Sequence, residues 1–160
     1  MQDEVKVVRQ GSCRIMIVES FSSNARSLSS QLACFPLPVQ LLTAIDAPTA
    51  MAQLQQEAVD LVIVDSCLRG KTDGFELCRS LRSNWSDDHI PIILILSCYL
   101  SLERCKGISA GADLLLHRPV VKEELLRMIQ LLLGWRFEES VNSRPQVFED
   151  RSLRRLHVVS

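Results

Sequence analysis

The chain has 160 residues, 47% of them hydrophobic and 23% charged, a composition that fits a globular domain and excludes a disordered or fibrous chain. A net charge of -1 offers no general attraction to nucleic acid or to an anionic membrane, so neither is expected as a direct partner. Six cysteines without a C-x-x-C pair, and an opening (MQDEVKVVRQGSC) without the apolar core of a signal peptide, point to the cytoplasm; the longest mostly apolar run, 90–102, falls short of the roughly 20 residues of a membrane helix.

In chain order, CRIMIVES (13–20) is a short run rich in Ile and Val and reads as a first strand, followed by a helix through NARSLSSQLACF (24–35). Pro36 and Pro38 mark a turn, and VQLLTAID (39–46) reads as a second strand. PTAMAQLQQEA (48–58) predicts a helix with Pro48 in its first turn, where a missing N–H does no harm. DLVIVD (60–65) is a third strand, and GFELCRSLRSN (74–84) a helix in which Phe75, Cys78 and Leu81 recur every three residues. PIILILS (91–97) is a fourth strand. A helix around LERCKGIS (102–109) has a weaker apolar stripe and is closed by the glycine of AGAD. ADLLLH (112–117) is a fifth strand, and VKEELLRMIQLLLGW (121–135) a last helix just after Pro119.

Five apolar runs alternating with five helices predict an α/β domain over 13–135, a doubly wound five-stranded parallel sheet with helices on both faces. Residues 1–12 are an N-terminal extension. From Arg136 the pattern stops, and 136–160 reads as a C-terminal tail in which Glu138, Glu139, Glu149 and Asp150 mix with five arginines. Arg151, Arg154 and Arg155 there fit a solvated charged face better than an acidic partner.

In an open parallel sheet, chemistry collects at the carboxyl ends of the strands. Those ends carry Glu19 and Ser20 on strand one, Asp65 on strand three, Ser97 on strand four, and His117, Arg118 and Pro119 on strand five. Two acids, a hydroxyl and a cation at one edge make Asp65 a functional carboxylate in preference to a solvated one. A haloacid-dehalogenase-type phosphatase also puts Asp at a strand end, but it wants a second Asp two residues on, where this chain has Cys67. A nucleotide or flavin binder wants a glycine-rich loop after strand one, and ESFSSN has no glycine.

The ordered motifs IVES, VIVD, LILS and HRP, with DGFELCRSLR and GISAGADLLL between them, resemble the receiver domains of bacterial two-component response regulators. In that family strand one ends in an acidic pair, strand three in the phospho-accepting aspartate, strand four in Ser or Thr, and strand five in Lys-Pro. The resemblance implies a flavodoxin-like, CheY-like fold, with Asp65 accepting a phosphoryl group from a kinase histidine or a small phosphodonor. It further implies Mg²⁺ held by Glu19, Asp65 and the backbone carbonyl of Cys67, with Ser97 and Arg118 contacting phosphoryl oxygens. The implied partners are a histidine kinase or phosphotransfer protein, another regulator, or a second copy in a homodimer. No enzymatic activity is expected beyond self-phosphorylation and dephosphorylation at Asp65.

The site departs from the family's pattern in three places. Ser20 stands where the second carboxylate of the metal cup belongs, which weakens the case for Mg²⁺. Arg118 replaces lysine, exchanging a compact ammonium for a planar fork able to pair directly with Asp65. Leu115 occupies the position where many receivers carry a Tyr or Phe that turns inward on phosphorylation. The loop LRGKTDG also has Arg69 for the common proline and one residue more than the usual spacing. These changes support an alternative, a phosphorylation-independent pseudo-receiver that acts as a protein-protein interaction module.

Three further features have plainer readings. His117 is a lone exposed or core-edge histidine, because the sequence supplies no second ligand beside it. Cys67 and Cys98 fit small hydrophobic fillers better than oxidant sensors. The Leu run of LLRMIQLLLGW covers more than one helical face but is assigned to the core.

Overall fold

Val, Ile and Leu fill five short segments that the computed structural model places side by side in one parallel sheet; the structure describes residues 12–85 and 89–133. The strands are β1 Cys13–Val18, β2 Val39–Ala44, β3 Leu61–Asp65, β4 Ile92–Leu96 and β5 Leu114–His117. Between and after them come α1 Ser22–Leu32, α2 Ala47–Gln56, α3 Gly74–Asn84, α4 Ser101–Ser109 and α5 Lys122–Leu133. The spatial order β2-β1-β3-β4-β5 is the flavodoxin-like arrangement, with the strand order reversing between β1 and β3. The tail 136–160 and residues 1–11 lie outside the described residues, as do Gly134 and Trp135 at the end of the expected last helix.

Every residue of β3 and β4 is buried, which is why both read as unbroken apolar runs and not as alternating ones. Side chains alternate between two cores. Met16, Val62, Leu94 and Leu115 face α2, α3 and α4, whereas Ile15, Ile63, Ile95 and Leu116 face α1 and α5. On α5, Leu125, Met128, Ile129 and Leu133 take the core positions and Leu131 is left exposed, so the Leu run is not wholly core.

Several boundaries differ from the sequence-based expectation. β1 and β2 stop at Val18 and Ala44 because Glu19 turns toward the sheet edge and Asp46 leaves the strand to cap α2, accepting the Thr49 N–H at 2.9 Å. α1 begins at Ser22 and ends at Leu32, two residues earlier than expected at its start and three at its end. The Cys34 and Phe35 N–H groups there bond Gln31 and Leu32 in tight turns, and Phe35 folds into the α1/α5 core. α3 starts on a capping box in which Asp73 accepts from the Glu76 N–H at 2.9 Å and Glu76 reaches back to Asp73.

Gly74, the first residue of α3, lies against the end of β3. A Cβ there would stand 2.1 Å from the Asp65 carbonyl oxygen, which is backbone and has no room to move aside. This contact seats α3 on the strand that carries Asp65. Gly74→Ala is expected to lower the unfolding free energy by about 1–3 kcal/mol, the usual range for overpacking; urea denaturation of the two proteins measures it, and an unchanged midpoint would show that the contact relaxes freely.

Candidate functional site

The parallel register delivers four side chains to one edge. Asp65 is the last residue of β3, Glu19 follows β1, Ser97 follows β4, and Arg118 follows β5, its N–H bonding the Leu96 carbonyl at 3.1 Å. The Arg118-Pro119 peptide is cis. Glu19 and Asp65 are only 3% and 4% exposed, so two carboxylates are buried side by side where the strand order reverses.

Such a pair needs a cation. The Arg118 guanidinium provides it: Nη2 donates to both Glu19 Oε2 and Asp65 Oδ2, and Nε donates to Asp65 Oδ2 at 3.1 Å. The remaining oxygens are also engaged, Asp65 Oδ1 by the Cys67 N–H at 2.6 Å and Glu19 Oε1 by the Phe21 N–H at 2.9 Å. All four carboxylate oxygens therefore accept a hydrogen bond from the chain itself. The Glu19 carboxyl is held above its ordinary value of 4.5, chiefly by burial, with the neighbouring Asp65 adding to the rise. The Phe21 N–H and the Arg118 charge oppose the shift without cancelling it.

Ser20 does not face this acid pair. Its hydroxyl donates to the Ile45 carbonyl at 2.7 Å and accepts from the Arg69 N–H at 2.8 Å, so it ties together the loops after β1, β2 and β3. The Arg69 guanidinium lies over the Phe21 ring at 4.3 Å and closes the same clasp. This explains Arg69 in the loop after Asp65. Sequence reasoning treated Ser20 as a lost ligand; the only trace of its bracing role is the spacing of three loops that meet in space.

Ser97 Oγ lies 3.1 Å from Cys67 Sγ, at the mouth of the site. Cys67 is exposed, not the buried filler expected, because its N–H turns in to Asp65 while its side chain points out. Cys98 is half-buried. Leu115 is buried beneath α4, where a Cβ on Gly107 would meet Leu115 Cδ2 at 2.7 Å. His117 is buried too, its ring stacked on Tyr99, a partnership the sequence did not announce.

The donors present do not suit a divalent cation while Arg118 is in place. Mg²⁺ demands near-octahedral oxygen ligands and usually one or two free carboxylates. Here both carboxylates are spanned by a guanidinium, each of their oxygens already accepts an N–H, and the Ser20 hydroxyl is committed to two backbone groups. Among the described residues, no group of three His, Cys, Asp or Glu side chains converges as a metal site.

Residues 15–130 match the family described as the response regulator receiver domain. The response regulator PleD of Caulobacter vibrioides is 30% identical over 149 residues, covering 93% of this chain and 31% of PleD, so the chain spans about a third of that relative. Two solved structures share the fold. The signal receiver domain of an HD domain-containing protein from Pseudomonas fluorescens Pf-5 superposes with TM-score 0.69 at 27% identity, covering 78% of this chain and 96% of its own. Vibrio cholerae chemotaxis protein CheY4 gives 0.67 at 24%, covering 77% and 100%.

The raised Glu19 pKa has a signed consequence. The folded state binds this proton more tightly than the unfolded chain, so Glu19 costs stability at neutral pH and recovers it as pH falls through the elevated value toward 4.5. Compared with Glu19→Gln, the wild type is expected to gain relative stability on acidification across that window in urea titrations. A difference that stays flat with pH would show that Glu19 titrates as in the unfolded chain.

Proposed function

This chain belongs to the response regulator receiver domain family, the receiving module of two-component signalling, and on that premise we propose that it works as an interaction module whose state is set by an internal cation, Arg118. Receiver domains meet histidine kinases or phosphotransfer proteins and generally use Mg²⁺ when phosphorylated; in this reading the charge that Mg²⁺ would compensate is already met by Arg118. The observation that carries it is the guanidinium spanning Glu19 and Asp65 with all four acid oxygens occupied. The domain then presents one surface to its partners without needing phosphate, and neither catalytic turnover nor contact with nucleic acid belongs to the role. Among the described residues, no helix is long and apolar enough to cross a membrane.

A second reading keeps Asp65 as a phosphoacceptor. It is favoured by the Ser97 hydroxyl, which stands beside Cys67 at the site's mouth, and by Asp65's own place at the strand end. Phosphorylation there requires Arg118 to leave the free carboxylate and turn onto the phosphoryl oxygens, which its planar fork suits. A homodimer fits either reading as one partnership among several.

Two measurements separate them. Incubation with Mg²⁺ and beryllofluoride, followed through the Cys67 amide signal, is expected to give no Asp65-dependent shift in the wild type; a shift abolished by Asp65→Ala would establish the phosphoacceptor reading instead. Arg118→Ala leaves two buried acids uncompensated and is expected to lose about 3 kcal/mol, near the low end for breaking a buried pair because the guanidinium is partly solvated. Millimolar Mg²⁺ should raise the melting temperature of that variant and leave the wild type unmoved. Equal Mg²⁺ responses in both proteins would refute the internal-cation proposal.

A further inference from the structure

The geometry points to the Tyr99–His117 stack as the element that couples the Arg118 ion triad to the position of α4, in place of a ring at position 115. The inference rests on the triad's being the domain's control point.

α4 is held loosely. Of its own residues only Gly107 is buried, its first turn receives no side-chain cap from Leu100, and its apolar contribution to the core is small. Such an element sits at the low-stability end of a fold. Ile108 packs against the core and the Lys106 ammonium lies 5.9 Å from the Phe75 ring centroid, and two further contacts bear on the position of α4. In mid-helix, Gly107 lies so close to Leu115 that an added Cβ would be 2.7 Å from the Leu115 side chain, which makes this point a pivot. Just before its N-terminus, the Tyr99 ring lies flat on His117, with centroids 4.1 Å apart and planes 5° from parallel. Leu115 itself is buried at the pivot and has no ring to turn.

His117 is the residue before Arg118 on the same strand end. β4 and β5 stay in register to Leu96 and His117, and the Arg118 N–H closes the ladder on Leu96. A change in where the guanidinium is anchored therefore acts on the backbone that sets the His117 ring. His117 is 3% exposed and packed, whereas Tyr99 is 59% exposed and free to follow it. The surface that moves with Tyr99 is apolar: Leu100 and Leu102 are both exposed at the start of α4. The path runs from the acids through Arg118, His117 and Tyr99 to this ledge, through directly bonded or touching groups at every step.

Tyr99 is the only tyrosine in the chain, so tyrosine-selective ¹³C labelling of the full-length protein gives one ring signal that reports this stack. The Cys67 amide, bonded to Asp65 Oδ1, reports the triad independently. Arg118→Gln is expected to move both signals, and Asp65→Asn provides the same perturbation from the acid side should the first variant not fold. In a His117→Leu background the Tyr99 signal is expected to start from an unstacked position and to show no further shift when Arg118→Gln is added. If the Cys67 amide moves and the Tyr99 signal does not, the coupling is overturned while the triad stands. An equal Tyr99 shift with and without His117 overturns the path through the stack. If Arg118→Gln leaves the Cys67 amide in place, the triad reading itself fails and the coupling falls with it.

Discussion

One guanidinium between two buried carboxylates is the constraint around which the rest of the sheet edge is arranged. Glu19 and Asp65 arrive there because β1 and β3 are neighbours in a parallel sheet and both end at the same level. Bringing two acids together without a counter-charge would force one of them to take up a proton. Arg118 reaches them from the far edge of the sheet, β5, and ties strands that are not hydrogen-bonded to one another. The Glu19 carboxyl stays above its ordinary value chiefly because it is buried, with Asp65 adding to the rise and the Arg118 charge opposing it.

Around that triad the loops are braced by groups that do not touch it. Ser20 links the loops after β1, β2 and β3 through a single hydroxyl, with Phe21 and Arg69 stacked alongside. An aspartate at position 20 could accept the Arg69 N–H but could not donate to the Ile45 carbonyl, and would bring a third acid to the edge. Ser20 and Arg118 thus belong to one solution: the acid count falls by one, and the remaining pair is matched by a side chain. Gly74 completes the support by letting α3 sit directly on the Asp65 carbonyl.

Much of this was legible in the residues. The apolar runs 61–64 and 92–96 marked buried strands because nothing polar interrupts them, and the acids, hydroxyl and cation at the strand ends fell in a recognisable order. A pairing of Asp65 with Arg118 followed from the two departures at positions 20 and 118. What the sequence withheld depends on side-chain direction in loops, where no periodicity operates. The Glu19 side chain turns inward, the Ser20 hydroxyl turns away to two backbone groups, and the Cys67 thiol faces solvent while its N–H faces Asp65. His117 and Tyr99 are eighteen residues apart on different strands' ends, and only the register of β4 on β5 makes their rings meet.

A tethered cation differs in kind from a dissolved one. The guanidinium is held at the acids by the chain, at an effective concentration that for short tethers reaches the millimolar range, and it is present whatever the ionic conditions. A divalent ion entering from solution must first displace it, leaving Arg118 without its acceptors, and must then strip hydrogen bonds from oxygens that the Phe21 and Cys67 amides already occupy. Both costs fall on the incoming ion, which is the physical basis of the internal-cation proposal. The same tether makes the arrangement reversible by a partner that offers Arg118 a better acceptor: a bound phosphate or a partner's carboxylate would draw the fork away from Asp65 without requiring the acids to bind anything. On the internal-cation proposal, the site keeps a means of responding to what docks beside it.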